Sequence, residues 1–176
     1  KYIGDKRPLC QFSLASTFDN LTPLSKVRVI YIYRNLSEVC LSAEARCTNQ
    51  GDLSWDAEKG IEHTICMHNA CCRQIINLKK NRPDIFKAIY FVQYKNVLSD
   101  PESAQAVFKN LNIELSNSEQ QRLETFALKS AEYKKKPKNE PAQSYRRIKD
   151  AVKELLDSVA HQNFCDITSM EDHSLS

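Results

Sequence analysis

Two short runs of β-branched and aromatic residues stand out from a chain that is otherwise patterned for helices. The first, 26–33, carries Val27, Val29, Ile30, Tyr31, Ile32 and Tyr33 between polar turns. The second, 87–94, carries Ile89, Tyr90, Phe91 and Val92. Both read as buried strands. Between them lie a helix over 37–47, capped by Ser37, and a turn signal at Asn49-Gln50-Gly51. A long helix over 55–80 follows, in which Ile61, Ile65, Cys72, Ile75 and Ile76 recur at helical spacing. Asn81-Arg82-Pro83 stops it. Two strands joined by a long helical crossover imply a parallel pair and a right-handed βαβ unit.

The flanking segments are helical as well. Residues 11–18 suggest a short helix in an irregular start. Pro101 opens a helix to about residue 110, and Ser116 or Asn117 caps another over 118–128 with Glu119 in its first turn. The last helix is read over 144–160, with Tyr145, Ile148, Val152, Leu155, Leu156 and Val159 as its apolar stripe. After Asp166 the chain turns polar. The expected organisation is a single domain over 1–167 and a mobile tail over 168–176.

Composition narrows the class. With 176 residues the chain suits one domain, and its 41% hydrophobic content supports a core rather than disorder. A net charge of +3 suits an anionic small molecule or an acidic glycan and does not call for nucleic acid. No apolar run reaches the ~20 residues that span a bilayer. Seven cysteines are many for this length. No C-x-x-C pair is present, so the spacing is not that of a zinc site and no metal is expected. Cys40 and Cys72 fall on apolar faces and read as core residues. Cys47, Cys66 and Cys71 are plausible disulfide partners in an oxidising compartment. His63 and His68 read as surface or core residues of the long helix.

Chemistry concentrates where the first strand ends. Arg34 follows the strand directly, and a helix begins within a few residues, with Ser42 near its second turn. Ligands of open α/β sheets bind outside the carboxyl ends of strands. An Arg there, beside a helix start with free N–H groups, makes an anion site, because a guanidinium grips phosphate bidentately and the helix adds positive partial charge.

The segment around Arg34, Asn35 and Ser42 resembles the 3′-phosphate-binding stretch of sulfotransferases that use 3′-phosphoadenosine 5′-phosphosulfate. That family has a hydrophobic strand, Arg-Asn-Pro or Arg-Asp-Pro, and a Ser eight residues after the Arg. Leu36 stands here for the Pro, and Glu38 where Asp is common. The stretch 87–116 resembles the family's later strand, its Tyr-Glu-Asp-Leu turn and the following helix, with Lys95 and Asn96 in place of the two acids. The resemblance implies an α/β fold with a P-loop-NTPase-like parallel sheet flanked by helices, and Arg34 and Ser42 as holders of the donor's 3′-phosphate. It implies sulfuryl transfer to a hydroxyl acceptor. The ending, with Tyr145-Arg146 before an amphipathic helix, is similar to the Golgi carbohydrate branch. That implies a glycan or glycoprotein acceptor and a place in the Golgi lumen as part of a membrane-anchored parent, a cytoplasmic setting being the alternative.

Two features depart from the family. Gly4, Gly51 and Gly60 are isolated, and no Gly-containing loop that would cradle the 5′-phosphosulfate precedes the Arg34 strand. The chain is therefore expected to lack the amino-terminal strand–loop–helix of the fold, or else to be a degenerate, non-catalytic relative that serves as a nucleotide-binding or interaction module. A kinase-like enzyme would need G-x-x-x-x-G-K-[ST], which is absent. No base is identified. Lys6, in the turn Lys6-Arg7-Pro8, is a candidate for stabilising the bridging oxygen, and the basic run Lys134-Lys135-Lys136-Pro137-Lys138 is a candidate flank for the donor or acceptor.

Overall fold

The computed structural model describes residues 10–20, 27–49, 56–134 and 142–169. Among these residues the fold is α/β: mostly helical, around a two-stranded parallel sheet. Strand β1, Val29–Tyr33, pairs with β2, Ile89–Gln93, in a register that sets Val29 opposite Ile89 and Tyr33 opposite Gln93. The two strands thus end level with each other. Both are β-branched and aromatic, which suits a pleated, half-buried surface.

Ahead of the sheet come a 3-10 turn, Cys10–Phe12, and helix α1, Leu14–Asp19. The crossover from β1 to β2 consists of α2, Leu36–Cys47, then α3, Ile61–Asn81, and the short α4, Pro83–Phe86. Helix α3 is the spine of the molecule. Its buried face, Ile61, Ile65, Asn69, Cys72, Ile75 and Leu78, follows the helical repeat. The first half of that face joins a core with Leu36, Cys40, Ile148 and Val152. The second half joins another with Phe18, Ile85, Ile89 and Phe164. One helix therefore serves both cores. It stops where Pro83 opens α4, and Arg82 takes φ −136° and ψ 62°, away from the helical region that a following proline disfavours.

Beyond β2 the chain forms α5, Tyr94–Ser99, α6, Pro101–Asn110, and α7, Asn117–Lys134. Asp100 caps α6 by accepting from the backbone N–H groups of Glu102 and Ser103. Ser116 and Glu119 bracket the start of α7, where the Glu119 carboxylate accepts from the Ser116 backbone N–H at 2.8 Å. No helix among the described residues is long and apolar enough to cross a membrane.

The carboxyl end corrects the sequence reading. The segment read as one helix over 144–160 is two: α8, Ala142–Leu155, and α9, Ser158–Thr168. Asp157 sits between them and caps α9, its Oδ1 accepting from the Ala160 N–H at 3.0 Å. Its other oxygen pairs with Arg73 of α3 at 2.7 Å. The break is held from below by the buried Asn69 side chain. Asn69 Nδ2 donates to the Leu155 carbonyl at 2.7 Å, and Asn69 Oδ1 accepts from the Asp157 N–H at 3.0 Å. Helix ends leave such groups unpaired, and one amide side chain pairs one of each kind here. The break also turns Val159, expected on the apolar stripe, out to solvent at 71% exposure, and Tyr145 is exposed as well. Thr168, assigned to the mobile tail, belongs to α9, and its carbonyl accepts from the Tyr33 hydroxyl at 3.1 Å.

Asn69→Leu keeps the branched shape of this side chain, at a larger volume, and strips both hydrogen bonds. Two backbone groups left unpaired should cost about 2–3 kcal/mol. In urea unfolding the midpoint should fall with the slope unchanged. An unaltered midpoint would show that Asn69 does not hold the α8–α9 break.

Candidate functional site

The level ending of β1 and β2 builds the site. Because Tyr33 faces Gln93 across the sheet, the next residues of each strand, Arg34 and Tyr94, leave at the same edge. The Arg34 guanidinium carbon lies 4.9 Å from the centre of the Tyr94 ring, a cation–π stack that fixes its plane. Asn35 closes the same edge: its Oδ1 accepts from Gln93 Nε2 at 3.0 Å, tying the start of α2 to the end of β2. Arg34 is 34% exposed. Its Nε is buried and has no hydrogen-bond partner, which is a donor aimed at nothing the protein supplies.

Helix α2 begins directly after this edge, with Asn35 at its N-cap rather than the expected Ser37. The first-turn backbone N–H groups of α2 are thus next to Arg34 in the chain. Glu38, one turn in, reaches back to Arg34, with Oε2 3.6 Å from Nη2. Ser42 lies one further turn along, on the same face of α2 as Glu38, and is exposed. Arg34 and Glu38 are thus in contact, and Ser42 follows Glu38 one turn further along α2. The arrangement can bind an anion through Arg34, the helix start and the Ser42 hydroxyl, and Glu38 is its built-in competitor.

The other residues singled out from the sequence fall elsewhere. Lys6 and Lys135, Lys136 and Lys138 lie outside the described residues. Tyr145 and Arg146 are exposed on α8, and Lys95 and Asn96 are exposed on α5. His63 is exposed on α3. An open groove of about 780 Å³ runs between α6 and α7, lined by Gln105, Phe108, Lys109, Asn112, Ile113 and Leu115 among others. Neither Arg34 nor Ser42 contributes to it, and charge and donor chemistry favour the cationic edge over this groove for an anion.

Cysteine chemistry departs from expectation. Cys47, Cys66 and Cys71, read as disulfide partners, are free thiols, as are Cys40, Cys72 and Cys165. Cys66 and Cys71 share α3 and point about 140° apart around its axis, so they cannot face each other. Cys71 instead accepts a hydrogen bond from Gln11 Nε2 at 2.7 Å. Burial pushes the Cys40 and Cys72 thiols up to about 12, Glu62 adding to the effect at Cys40. Neither is a nucleophile at neutral pH.

A group that the search for paired cysteines passed over does come together. His68 Nε2 lies 2.9 Å from His161 Nδ1 and 3.3 Å from Cys72 Sγ. On the far side of the His161 ring, Nε2 lies 3.5 Å from Cys165 Sγ. The legible signal is His-x-x-x-Cys, present at 68/72 and again at 161/165. That spacing puts both side chains on one helical face.

No family model, curated protein or solved structure matches the chain.

Removing the competitor should improve the anion site. Glu38→Gln frees Arg34 from a partly exposed ion pair worth about 0.2–1 kcal/mol. Inorganic phosphate should bind up to about fivefold more tightly by calorimetry at low salt. Unchanged or weaker binding would place phosphate away from Arg34.

Proposed function

We propose that the chain forms the 3′-phosphate-binding part of a sulfotransferase that uses 3′-phosphoadenosine 5′-phosphosulfate, with a P-loop-NTPase-like sheet as its parent architecture. The observation that carries the reading is Arg34: a half-buried guanidinium at the carboxyl end of a parallel strand, stacked on Tyr94, with a buried Nε that no protein group engages. Ser42 two turns into the next helix and the first-turn N–H groups of α2 complete a donor set suited to a terminal phosphate. Donor binding moves Glu38 off Arg34, and the 3′-phosphate takes its place.

In this reading the chemistry is in-line transfer of a sulfuryl group to a hydroxyl of a glycan or glycoprotein acceptor. As in phosphoryl transfer, positioning and charge stabilisation carry most of the catalysis. Arg34 and Ser42 contribute by holding the nucleotide end of the donor, so that binding energy far from sulfur orients the reacting group. The Golgi lumen and a membrane-anchored parent belong to the same proposal through the carbohydrate-branch resemblance. One observation favours a second reading, a non-catalytic nucleotide-binding relative: Glu38 already neutralises Arg34 in the free protein.

Calorimetry with adenosine 3′,5′-bisphosphate tests the assignment. Arg34→Ala should weaken binding by about 2–3 kcal/mol, the scale of a lost hydrogen bond to a charged group, and Ser42→Ala by about 1 kcal/mol. Equal affinity in the parent and Arg34→Ala would sink the 3′-phosphate site. Nucleotide binding without sulfuryl transfer by the longest natural form of the protein would favour the non-catalytic reading.

A further inference from the structure

The two His-x-x-x-Cys pairs sit on different helices, α3 and α9, and meet in the interior. Cys72 is 1% exposed and His161 is 8% exposed, while His68 is half-buried. His68 packs edge-on against Phe164 with ring centres 6.1 Å apart, and Phe164 in turn packs against Tyr31 and Tyr33 of β1. One donor atom from each of His68, Cys72 and His161 lies within 4.8 Å of the other two. Two imidazole nitrogens and a sulfur from two helices are the donor types that bind zinc.

We propose that His68 Nε2, Cys72 Sγ and His161 Nδ1 form a zinc site that ties α9 to α3. Tetrahedral zinc with Zn–N near 2.0–2.1 Å and Zn–S near 2.3 Å separates two nitrogens by roughly 3.3 Å and nitrogen from sulfur by roughly 3.6 Å. The structure holds the matching pairs at 2.9 and 3.3 Å. A few tenths of an ångström of opening brings these two pairs to zinc spacing, and the third pair lies within 4.8 Å. On binding, the Cys72 thiol gives its proton to solvent and coordinates as thiolate. Each imidazole coordinates as the neutral ring, with its proton on the nitrogen away from the metal. For His161 that nitrogen is Nε2, and it faces Cys165 Sγ at 3.5 Å. Cys165 thereby serves as the outer partner that selects the ligating nitrogen. Three protein ligands leave a fourth position for water.

The ion would fasten the last helix to the spine at the level of the sheet, since α9 also reaches β1 through Phe164 and through the Thr168 carbonyl. The site is separate from the Arg34 edge in residues and in chemistry, so it stands or falls independently of the nucleotide reading.

The test is titration of the reduced, metal-stripped chain with Co²⁺, followed by Zn²⁺ displacement. One equivalent of Co²⁺ should give thiolate-to-cobalt charge-transfer absorption with tetrahedral d–d bands, and one equivalent of Zn²⁺ should abolish both. Zn²⁺ should also raise the unfolding temperature, because an ion that binds only the folded state stabilises it. Cys72→Ser should lose the charge-transfer band, and Cys165→Ser should weaken binding by about tenfold. Cys66→Ser and Cys71→Ser should leave the titration unchanged. If Cys72→Ser fails to fold, His161→Gln is read in its place, and it should lose stoichiometric Co²⁺ uptake, because only two of the three ligands remain. A parent chain that takes up no stoichiometric Co²⁺ would overturn the proposal, leaving a hydrogen-bonded histidine pair. So would binding that survives Cys72→Ser and His161→Gln in folded protein.

Discussion

Parallel pairing of β1 with β2 is the constraint from which the rest of the molecule follows. Parallel strands cannot be joined by a tight turn; the chain must leave one end of the sheet and return to the other. Here α2 and α3 make the return, and the helix that makes it must bury its apolar face on something. Helix α3 does so twice, giving Ile61 and Ile65 to one core and Cys72, Ile75 and Leu78 to the other. The same helix supplies Asn69 to the α8–α9 break and Arg73 to the cap of α9. A substitution on its buried face is therefore felt at both ends of the fold.

The strand register explains the cationic edge as well. Tyr33 opposite Gln93 brings Arg34 beside Tyr94 and Asn35 beside Gln93, so strand pairing, ring stacking and a side-chain hydrogen bond all set one guanidinium. A one-residue slip would turn every strand side chain to the opposite face and dissolve this grouping. Glu38 adds a counter-charge in the next turn. It offsets the Arg34 charge in the free protein, so under the proposed function the ligand's phosphate would exchange with the Glu38 carboxylate. Such a site favours ligands that offer more than one carboxylate does: greater charge and more acceptor oxygens.

Much of this was legible in the sequence because it depends on local pattern. The two strands come out within three residues of their bounds, their parallel pairing follows from the helical crossover, and the helices opened by Pro101 and by Ser116 stand where capping residues put them. The cationic edge was visible as Arg34 following a β-branched and aromatic strand, although that strand is half-buried rather than buried, with Ile32 59% exposed. What escaped depends on contacts between distant residues. The break at Asp157 needs Asn69, nearly ninety positions earlier, to pair the freed backbone groups; without it the run through Val159 reads as one continuous stripe. From the sequence Glu38 reads only as standing where the resembled family commonly has Asp, and the backbone path from β1 into α2 turns it onto Arg34. The His68–Cys72–His161 group escaped because spacing rules for zinc look for neighbouring cysteines, whereas these ligands are one helical turn apart on two helices.

The most direct test of the account is hydrogen–deuterium exchange of the chain with and without saturating adenosine 3′,5′-bisphosphate. If the nucleotide's phosphate docks on Arg34 and the start of α2, amides from Asn35 to Glu38 and through the turn bearing Ser42 should gain protection. Peptides lining the α6–α7 groove, around Phe108 and Ile113, should exchange as before. Protection confined to that groove, or none at the start of α2, would contradict the claim that the strand ends form the nucleotide site.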